Sequence, residues 1–565
     1  MQSPKPDVLL QQAVDLHRTG RVDEAVRAYK KILRKDARAF GALNLLGLAE
    51  FQRGQLPQAA EALSRAIRLA PDLPNIDYNF ARVLQAQGRF RDALAHYEKA
   101  VARAPQDAEA TVNLGSVLAA LGRRDDAIEQ YRRALSLDPR RADAWHNLGN
   151  ALKASDRFEE ALEAYREALP LNPNQAETLR SAAYALFRLD RFDEALPYAE
   201  KAVAIQPRTA DNHLMVAVVL AALGRDDEAV AAYDRAIACD PKAADAPFNK
   251  AVLLLSRGRF AEGWQHFHAR WRITGAVQRR REYREPLWAG ERVDGALLVW
   301  AEQGLGDQVL MSSMIPDACA FADKVVLEVD PRLVPLLGRS FPAVTVVPQR
   351  EALYDGPVAA HCALGDLGRI LRPDVKSFAK TAAGYVRVDE TRAAALRSRL
   401  HEDGKRVIGL SWSSANREIG RSKSARLADF APVLRLPDCR FIDLQYGDTS
   451  RDRAEVEAAT GVCIDHVDEI DNTNDIDGLA ALMAACDAVV TVSNTNAHLA
   501  AAQGKPTFVM LSDATGLIWY WMKRGDRTPF YERAKLFRRR GDQGWDALAA
   551  NEVVPALTEC LERLR

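Results

Sequence analysis

Prolines stand at 71, 105, 139, 173, 207 and 241, each 34 residues after the last. Gly20, Gly54, Gly88, Gly122, Gly224 and Gly258 keep the same interval, with Asp156 and Asp190 in the two gaps. Ala25, Ala59, Ala93, Ala127, Ala161, Ala195 and Ala229 follow it too, as do Tyr29, Tyr97, Tyr131, Tyr165 and Tyr233. The glycine permits a tight turn, and proline stops a helix because it lacks an N–H and crowds the preceding turn. The alanine lets two helices approach closely while the tyrosine fills the space beside it. Each unit is therefore expected to be two antiparallel helices. Such a pair cannot bury its apolar face alone, so the units stack into an all-α superhelix with a concave groove.

This is the tetratricopeptide pattern. It predicts an array over residues 7–275, about seven and a half repeats, ending near Trp271. Asn79, Asn113, Asn147 and Asn249 share one slot on the first helix of their repeats, the face that lines such grooves. Side-chain amides both donate and accept, so they suit the backbone of an extended acceptor peptide. Asparagine at this slot serves equally as a local cap. The array implies a protein partner and does not name one.

A chain of 565 residues exceeds one compact core, which calls for further domains. Lys plus Arg and Asp plus Glu balance at 77 each, leaving no overall field to hold nucleic acid or an anionic membrane. The N-terminus lacks the basic start and apolar core of a signal peptide, and the longest apolar run, near Leu214–Leu223, is too short to span a bilayer. Seven cysteines show no ligand spacing and read as buried free thiols. A cytoplasmic protein with no membrane insertion is expected.

Beyond residue 275 the period disappears. Strands are expected at 296–302, 324–329, 343–348, 406–412, 440–446, 487–493 and 507–512, separated by helical stretches. Alternating strands and helices predict parallel sheets in two α/β halves, 282–395 and 396–565, the second ending in a helix. Ligands of such halves gather at the carboxyl ends of the strands.

Three segments follow strand ends. "EQGLGDQ" supplies Gly304 and Gly306 for close backbone approach, with Asp307 opening a helix either as its N-cap or as a reactive carboxylate, and Gln308 beside it. "SWSSANREIGRSKS" carries Ser411, Ser413, Asn416, Arg417, Arg421 and Lys423, a cationic loop suited to a phosphate or to open solvent. "VSNTNAHLAAA" sets Asn494, Thr495 and, one turn on, His498 at a helix start. There unpaired N–H groups and the dipole favour an anion, while Asn494 or Thr495 also makes an ordinary cap and His498 an ordinary core residue. The acidic "DHVDEIDNTNDID" lacks the spacing of a calcium loop, and Asp475 or Asp477 is expected to cap the next helix; no metal is expected.

In order, "WAEQGLGDQVLMSSMIP", "GLSWSSANREIGRSKSARL", "FIDLQYGD" and "CDAVVTVSNTNAHLAAAQGKP" resemble the C-terminal domain of bacterial tetratricopeptide-containing glycosyltransferases. That domain is similar to lipopolysaccharide heptosyltransferases and has the GT-B architecture of two Rossmann-like halves. The likeness covers about Pro286 to Trp545. It implies Asp307 as catalytic base. It implies donor binding by Gly304, Gly306, Gln308, Ser411, Ser413, Asn416, Arg421, Lys423, Gln445, Tyr446, Asn494, Thr495 and His498. Many relatives carry aspartate at the position of Asn494, and a neutral residue there suits a CMP-linked nonulosonic acid better than an ADP- or UDP-sugar. Some relatives modify flagellin, which makes flagellin a candidate acceptor. The resemblance thus implies a metal-independent, inverting protein glycosyltransferase with no cofactor beyond its nucleotide-sugar substrate. A non-catalytic repeat scaffold or chaperone with a degenerate second half, and an enzyme acting on a glycan or lipid, stand as alternatives.

Overall fold

The computed structural model describes residues 6–72, 74–273, 280–379, 381–414, 420–512, 518–541 and 543–564. The chain forms two compact units, Met1–Leu223 and Gly224–Arg565. The division falls inside the repeat array, ahead of the 275–282 boundary suggested by the loss of period.

The first unit is all-helical among its described residues. Helices of 13 and 14 residues alternate from Pro6–Arg18 to Ala210–Ala222, and with their loops they use up the 34-residue period. The periodic alanines of this unit, from Ala25 to Ala195, are fully buried, as are Tyr29, Tyr97 and Tyr165. A Cβ at Gly115 would stand 2.8 Å from the Tyr131 ring, which explains why a glycine faces the tyrosine there. The turn slot is left-handed throughout: Gly122 has φ +79°, and Asp156 and Asp190, which replace the glycine, both have φ +57°.

The second unit begins with helices Asp226–Cys239, Asp245–Ser256 and Phe260–Phe267, the last shortened and ending in a 3-10 turn, His268–Arg272. These complete seven helix pairs and a truncated eighth. Two parallel sheets follow. The first comprises β1 (Val293–Trp300), β2 (Ala322–Val329), β3 (Thr345–Pro348) and β4 (Ala360–Ala363), in the order β3-β2-β1-β4. The second comprises β5 (Arg406–Ser411), β6 (Cys439–Asp443), β7 (Ile464–Asp465), β8 (Ala488–Val492), β9 (Thr507–Leu511) and β10 (Ala534–Arg538), in the order β7-β6-β5-β8-β9-β10. Each chain path runs outward from its first strand and then returns to the other side of it. The order therefore reverses between β1 and β4 and between β5 and β8, the crevices where doubly wound sheets hold ligands. Strands β8 and β9 are buried at every residue, as expected of a sheet covered on both faces.

All seven expected strands form. Strands β4, β7 and β10 were not anticipated; "AHCA", "ID" and "AKLFR" are too short or too charged to stand out. The C-terminal helix, Val554–Arg563, buries Leu557 and Leu561 in the core beneath the second sheet. Asp475 caps the helix Ile476–Ala485, accepting from the Gly478 N–H at 2.8 Å. Of the cysteines only Cys362 and Cys486 are buried, while Cys239 and Cys463 are exposed, contrary to the expectation of buried thiols. No described helix is long and apolar enough to cross a membrane.

The turn slot separates backbone strain from packing, because a Cβ at Gly122 would touch nothing within 4 Å. Gly122→Ala is expected to lower unfolding free energy by about 1–2 kcal/mol, whereas Asp156→Gly costs nothing or stabilises. Denaturant titration of both variants measures the difference.

Candidate active site

Strand β1 ends at Trp300, and the chain turns through Glu302 and Gln303 into the helix Leu305–Ser312. Gln303 takes φ +65°, a left-handed conformation that a side chain adopts only when its surroundings hold it there. Gly304, not Asp307, is the N-cap. Asp307 sits in the first turn, where its carboxylate reaches back to the Gly304 N–H. It retains partial solvent access, yet burial lifts its pKa to about 6, opposed by the Gly304 bond, the charge of Lys423 and the Tyr520 hydroxyl. Its carboxyl therefore titrates closer to neutrality than the ordinary aspartate value of 3.8. Gln308 does not face this space. Its Oε1 accepts from the Asp330 N–H at 2.9 Å and its Nε2 donates to the Gln303 carbonyl at 3.3 Å, so it pins the loop.

The glycine loop meets the second half directly. A Cβ at Gly306 would lie 2.8 Å from His498 Cδ2 and 3.4 Å from Thr495 Cα, so only glycine permits this approach. Asp307 and His498, on opposite halves, are therefore one residue apart across the contact. His498 is buried. Its Nδ1 lies 3.0 Å from the Tyr531 hydroxyl, and its ring stacks on Trp521 at 4.8 Å and meets Tyr520 edge-on at 4.9 Å. Burial, with the nearby Lys423, depresses its pKa to about 3, so the imidazole is neutral and cannot serve as a cation for phosphate.

At the β5/β8 reversal a buried polar network closes the second sheet. Gln445 Oε1 accepts from Ser411 Oγ at 3.0 Å and from the N–H groups of Trp412 and Ser413, both at 2.9 Å. Asn494 Oδ1 caps the helix Thr495–Ala502 by accepting from the Asn496 and Ala497 N–H groups at 3.0 and 3.2 Å. Its Nδ2 donates to Ser411 Oγ at 2.8 Å and to the Ser413 carbonyl at 3.0 Å. Asn496 donates to Ser411 Oγ at 3.0 Å and to the Leu444 carbonyl at 2.6 Å. Tyr446 donates from its hydroxyl to the Ser413 carbonyl at 3.2 Å. Ser411, Gln445 and Asn494 thus shape the site from behind instead of presenting free donors, and two of the helix's unpaired N–H groups are already taken by the Asn494 cap.

What remains open is Thr495, half-buried, with no hydrogen bond from its hydroxyl among the described residues, and Lys423. Lys423 is 5 % exposed, and among the described residues its ammonium has no hydrogen-bond partner and no carboxylate at ion-pair distance. Burial lowers its pKa and the charge of Asp307 raises it. Beside the same loop, Trp412, Ser413, Ala425, Leu427, Asp452 and Val456 line a cleft of about 370 Å³. Asn416, Arg417 and the side chain of Arg421 lie outside the described residues.

In the repeats, Asn79 is buried and donates to Asn44 Oδ1 at 3.0 Å, while Asn113 donates to the Tyr78 hydroxyl at 2.9 Å. Asn147 is half-buried, as is Asn249 in the second unit. The first two asparagines thus each make a hydrogen bond within the array. Sequence reasoning missed Tyr520, Trp521 and Tyr531, which wall His498 and Asp307. The aromatic run "WYW" at 519–521 is the signal that marks the first two.

Asp307 and His498 act oppositely on stability. Between pH 3.8, the ordinary value, and about 6 the folded carboxyl keeps a proton the unfolded chain has lost, so this contribution disappears as pH rises through 6. His498 contributes above pH 6.5 and loses that stabilisation as pH falls towards about 3. Asp307→Asn is expected to be more stable than the natural chain at pH 7.5 by about 1–3 kcal/mol, with the gap closing below pH 4, as thermal denaturation across pH measures.

Family profiles described as tetratricopeptide repeat match residues 72–140, 106–174 and 140–208, and a second such profile matches 10–74 and 180–244. Protein FlbA of Caulobacter vibrioides is 32% identical over 298 residues, 49% of this chain and 49% of FlbA. The chain therefore spans about half the length of the curated relative it matches. Among solved structures, YrrB, "a TPR protein with an unusual peptide-binding site", is 26% identical, covering 34% of this chain and 98% of YrrB with TM-score 0.31. MamA from Desulfovibrio magneticus RS-1 is 24% identical, covering 31% of this chain and 99% of MamA with TM-score 0.30. Residues 10–244 are accordingly tetratricopeptide repeats.

Proposed function

We propose that the α/β unit transfers a sugar from a nucleotide-sugar to a Ser or Thr hydroxyl of a protein held by the repeats, in the cytoplasm. The observation that carries this reading is Lys423, a side chain 5 % exposed whose ammonium has no hydrogen-bond or ion-pair partner among the described residues, near the Asp307 carboxylate at the strand ends. A buried charge of that kind is costly unless an anion joins it. A donor phosphate is that anion, and the cleft beside Trp412 and Ser413 is large enough for a nucleoside.

In this reading Asp307 Oδ takes the proton from the acceptor hydroxyl as the oxygen attacks the anomeric carbon. The bond from that carbon to the phosphate oxygen breaks, and its electron pair leaves on the phosphate, offset by Lys423 and hydrogen-bonded by Thr495. A base with pKa about 6 is ionised at neutral pH and still strong enough to accept a proton. No metal is needed for these steps. CMP-linked nonulosonic acid is the first donor to test, although the Asn494 side chain is turned into its cap and onto Ser411 and Ser413. Flagellin is the first acceptor to test.

A second reading is a scaffold whose α/β unit no longer reacts. It is favoured by the saturation of Ser411, Gln445, Asn494 and Asn496 on one another, which leaves few donors for a ligand. Co-expression with candidate acceptors, followed by intact-mass measurement, separates the two. The expected result is a sugar's mass on the acceptor with the natural chain and none with Asp307→Asn. An unmodified acceptor throughout, or modification surviving in the variant, contradicts the assignment.

A further inference from the structure

The truncated eighth helix pair does more than end the array. We infer that Arg270 is a positioning residue that holds the glycine loop carrying Asp307, so that the last repeat is a working part of the reacting half. The inference rests on the proposed role of Asp307.

Arg270 lies in the 3-10 turn His268–Arg272 and is 7 % exposed. Its Nη2 and Nε meet Glu302 Oε1 and Oε2 at 2.5 and 3.1 Å, a forked pairing, and its Nη1 lies 2.8 Å from Asp366 Oδ1. The guanidinium packs over Phe267 at 4.5 Å and Trp271 at 4.4 Å. Glu302 is 5 % exposed and directly precedes the left-handed Gln303. Gly365 closes the pocket: a Cβ there would collide with Glu302 Oε1 and come within 3.4 Å of Arg270 Nη2. Lysine cannot span both carboxylates in a fixed fork, so the site specifies arginine.

The other wall of Asp307 hangs from the same repeat. Trp264, on Phe260–Phe267, donates from its indole to the Arg372 carbonyl at 2.8 Å and meets Trp519 edge-on at 5.3 Å. Trp519 is followed by Tyr520, the residue against Asp307. Ser256 accepts from the Lys523 N–H at 2.9 Å just beyond. Thus the entry to the loop and the aromatic segment facing it are both anchored on the last repeat, at two separate points. An ion pair kept only for stability would not need to sit at the one strained residue leading to the base.

Two full-length variants separate positioning from stability. Arg270→Met leaves Glu302 buried and unpaired, and it is expected to lower Tm. In Arg270→Met/Glu302→Gln the deeply buried unpaired charge is gone and only the more exposed Asp366 carboxylate lacks its arginine, so Tm recovers in large part. The clamp is still missing there, so amide exchange over residues 302–312, followed by mass spectrometry, is expected to be about tenfold faster than in the natural chain, with slower sugar transfer. The inference is overturned if exchange over 302–312 in the double variant matches the natural chain. Exchange needs no substrate, so it decides the matter even if no sugar transfer exists to measure.

Discussion

A lysine with a buried side chain near a half-buried carboxylate, with no ion pair formed between them, is the tension around which the second unit is built. Lys423 loses hydration, and its proton affinity falls. Asp307 loses hydration, and its proton affinity rises towards neutrality. Each is held in a less stable state than water would give it, and neither relieves the other by contact. Strained electrostatics of this kind collects where chemistry is done. The same site stores backbone strain at Gln303, one turn before the carboxylate.

Everything around that pair serves to fix its two halves. Strand β1 delivers the glycine loop, β5 and β8 deliver Lys423 and the helix Thr495–Ala502, and the strand orders of both sheets reverse at those points. Gly306 against His498 joins the halves. The neutral imidazole, stacked on Trp521 and bonded to Tyr531, fills that contact as a rigid spacer. The hydrogen-bond network of Ser411, Gln445, Asn494 and Asn496 then ties the ends of β5, β6 and β8 into one rigid floor. A fully satisfied buried network rigidifies its surroundings.

The repeats were fully legible because their signal is repetition itself. Six glycines and two aspartates at one interval foretold a left-handed turn, and all eight adopt it. The strands were legible where β-branched residues run together, and invisible where β4 and β7 span four residues or fewer. Positions of the site residues followed from strand ends, but their roles did not. Asn494, Ser411 and Gln445 look like ligand donors in a line of text, and only the geometry shows that their amides and hydroxyls are spent on one another. His498 reads in sequence as either a neighbour of the donor phosphates or a core residue, and burial makes it neutral. The run "WYW" is a local mark of Tyr520, but nothing local marks Tyr531 or Arg270, whose meaning comes from contacts with segments far away in sequence.

Calorimetric titration of the natural chain and of Lys423→Met with CMP and ADP, and with their sugar conjugates where these can be made, tests the central claim most directly. If the Lys423 ammonium, which has no partner among the described residues, takes a donor phosphate as proposed, at least one nucleotide binds the natural chain. Removing the charge should weaken that binding about tenfold or more, with the fold unchanged by circular dichroism. Equal affinity in both proteins, or no nucleotide binding at all, would contradict the claim and leave the repeats alone as the working part of the chain.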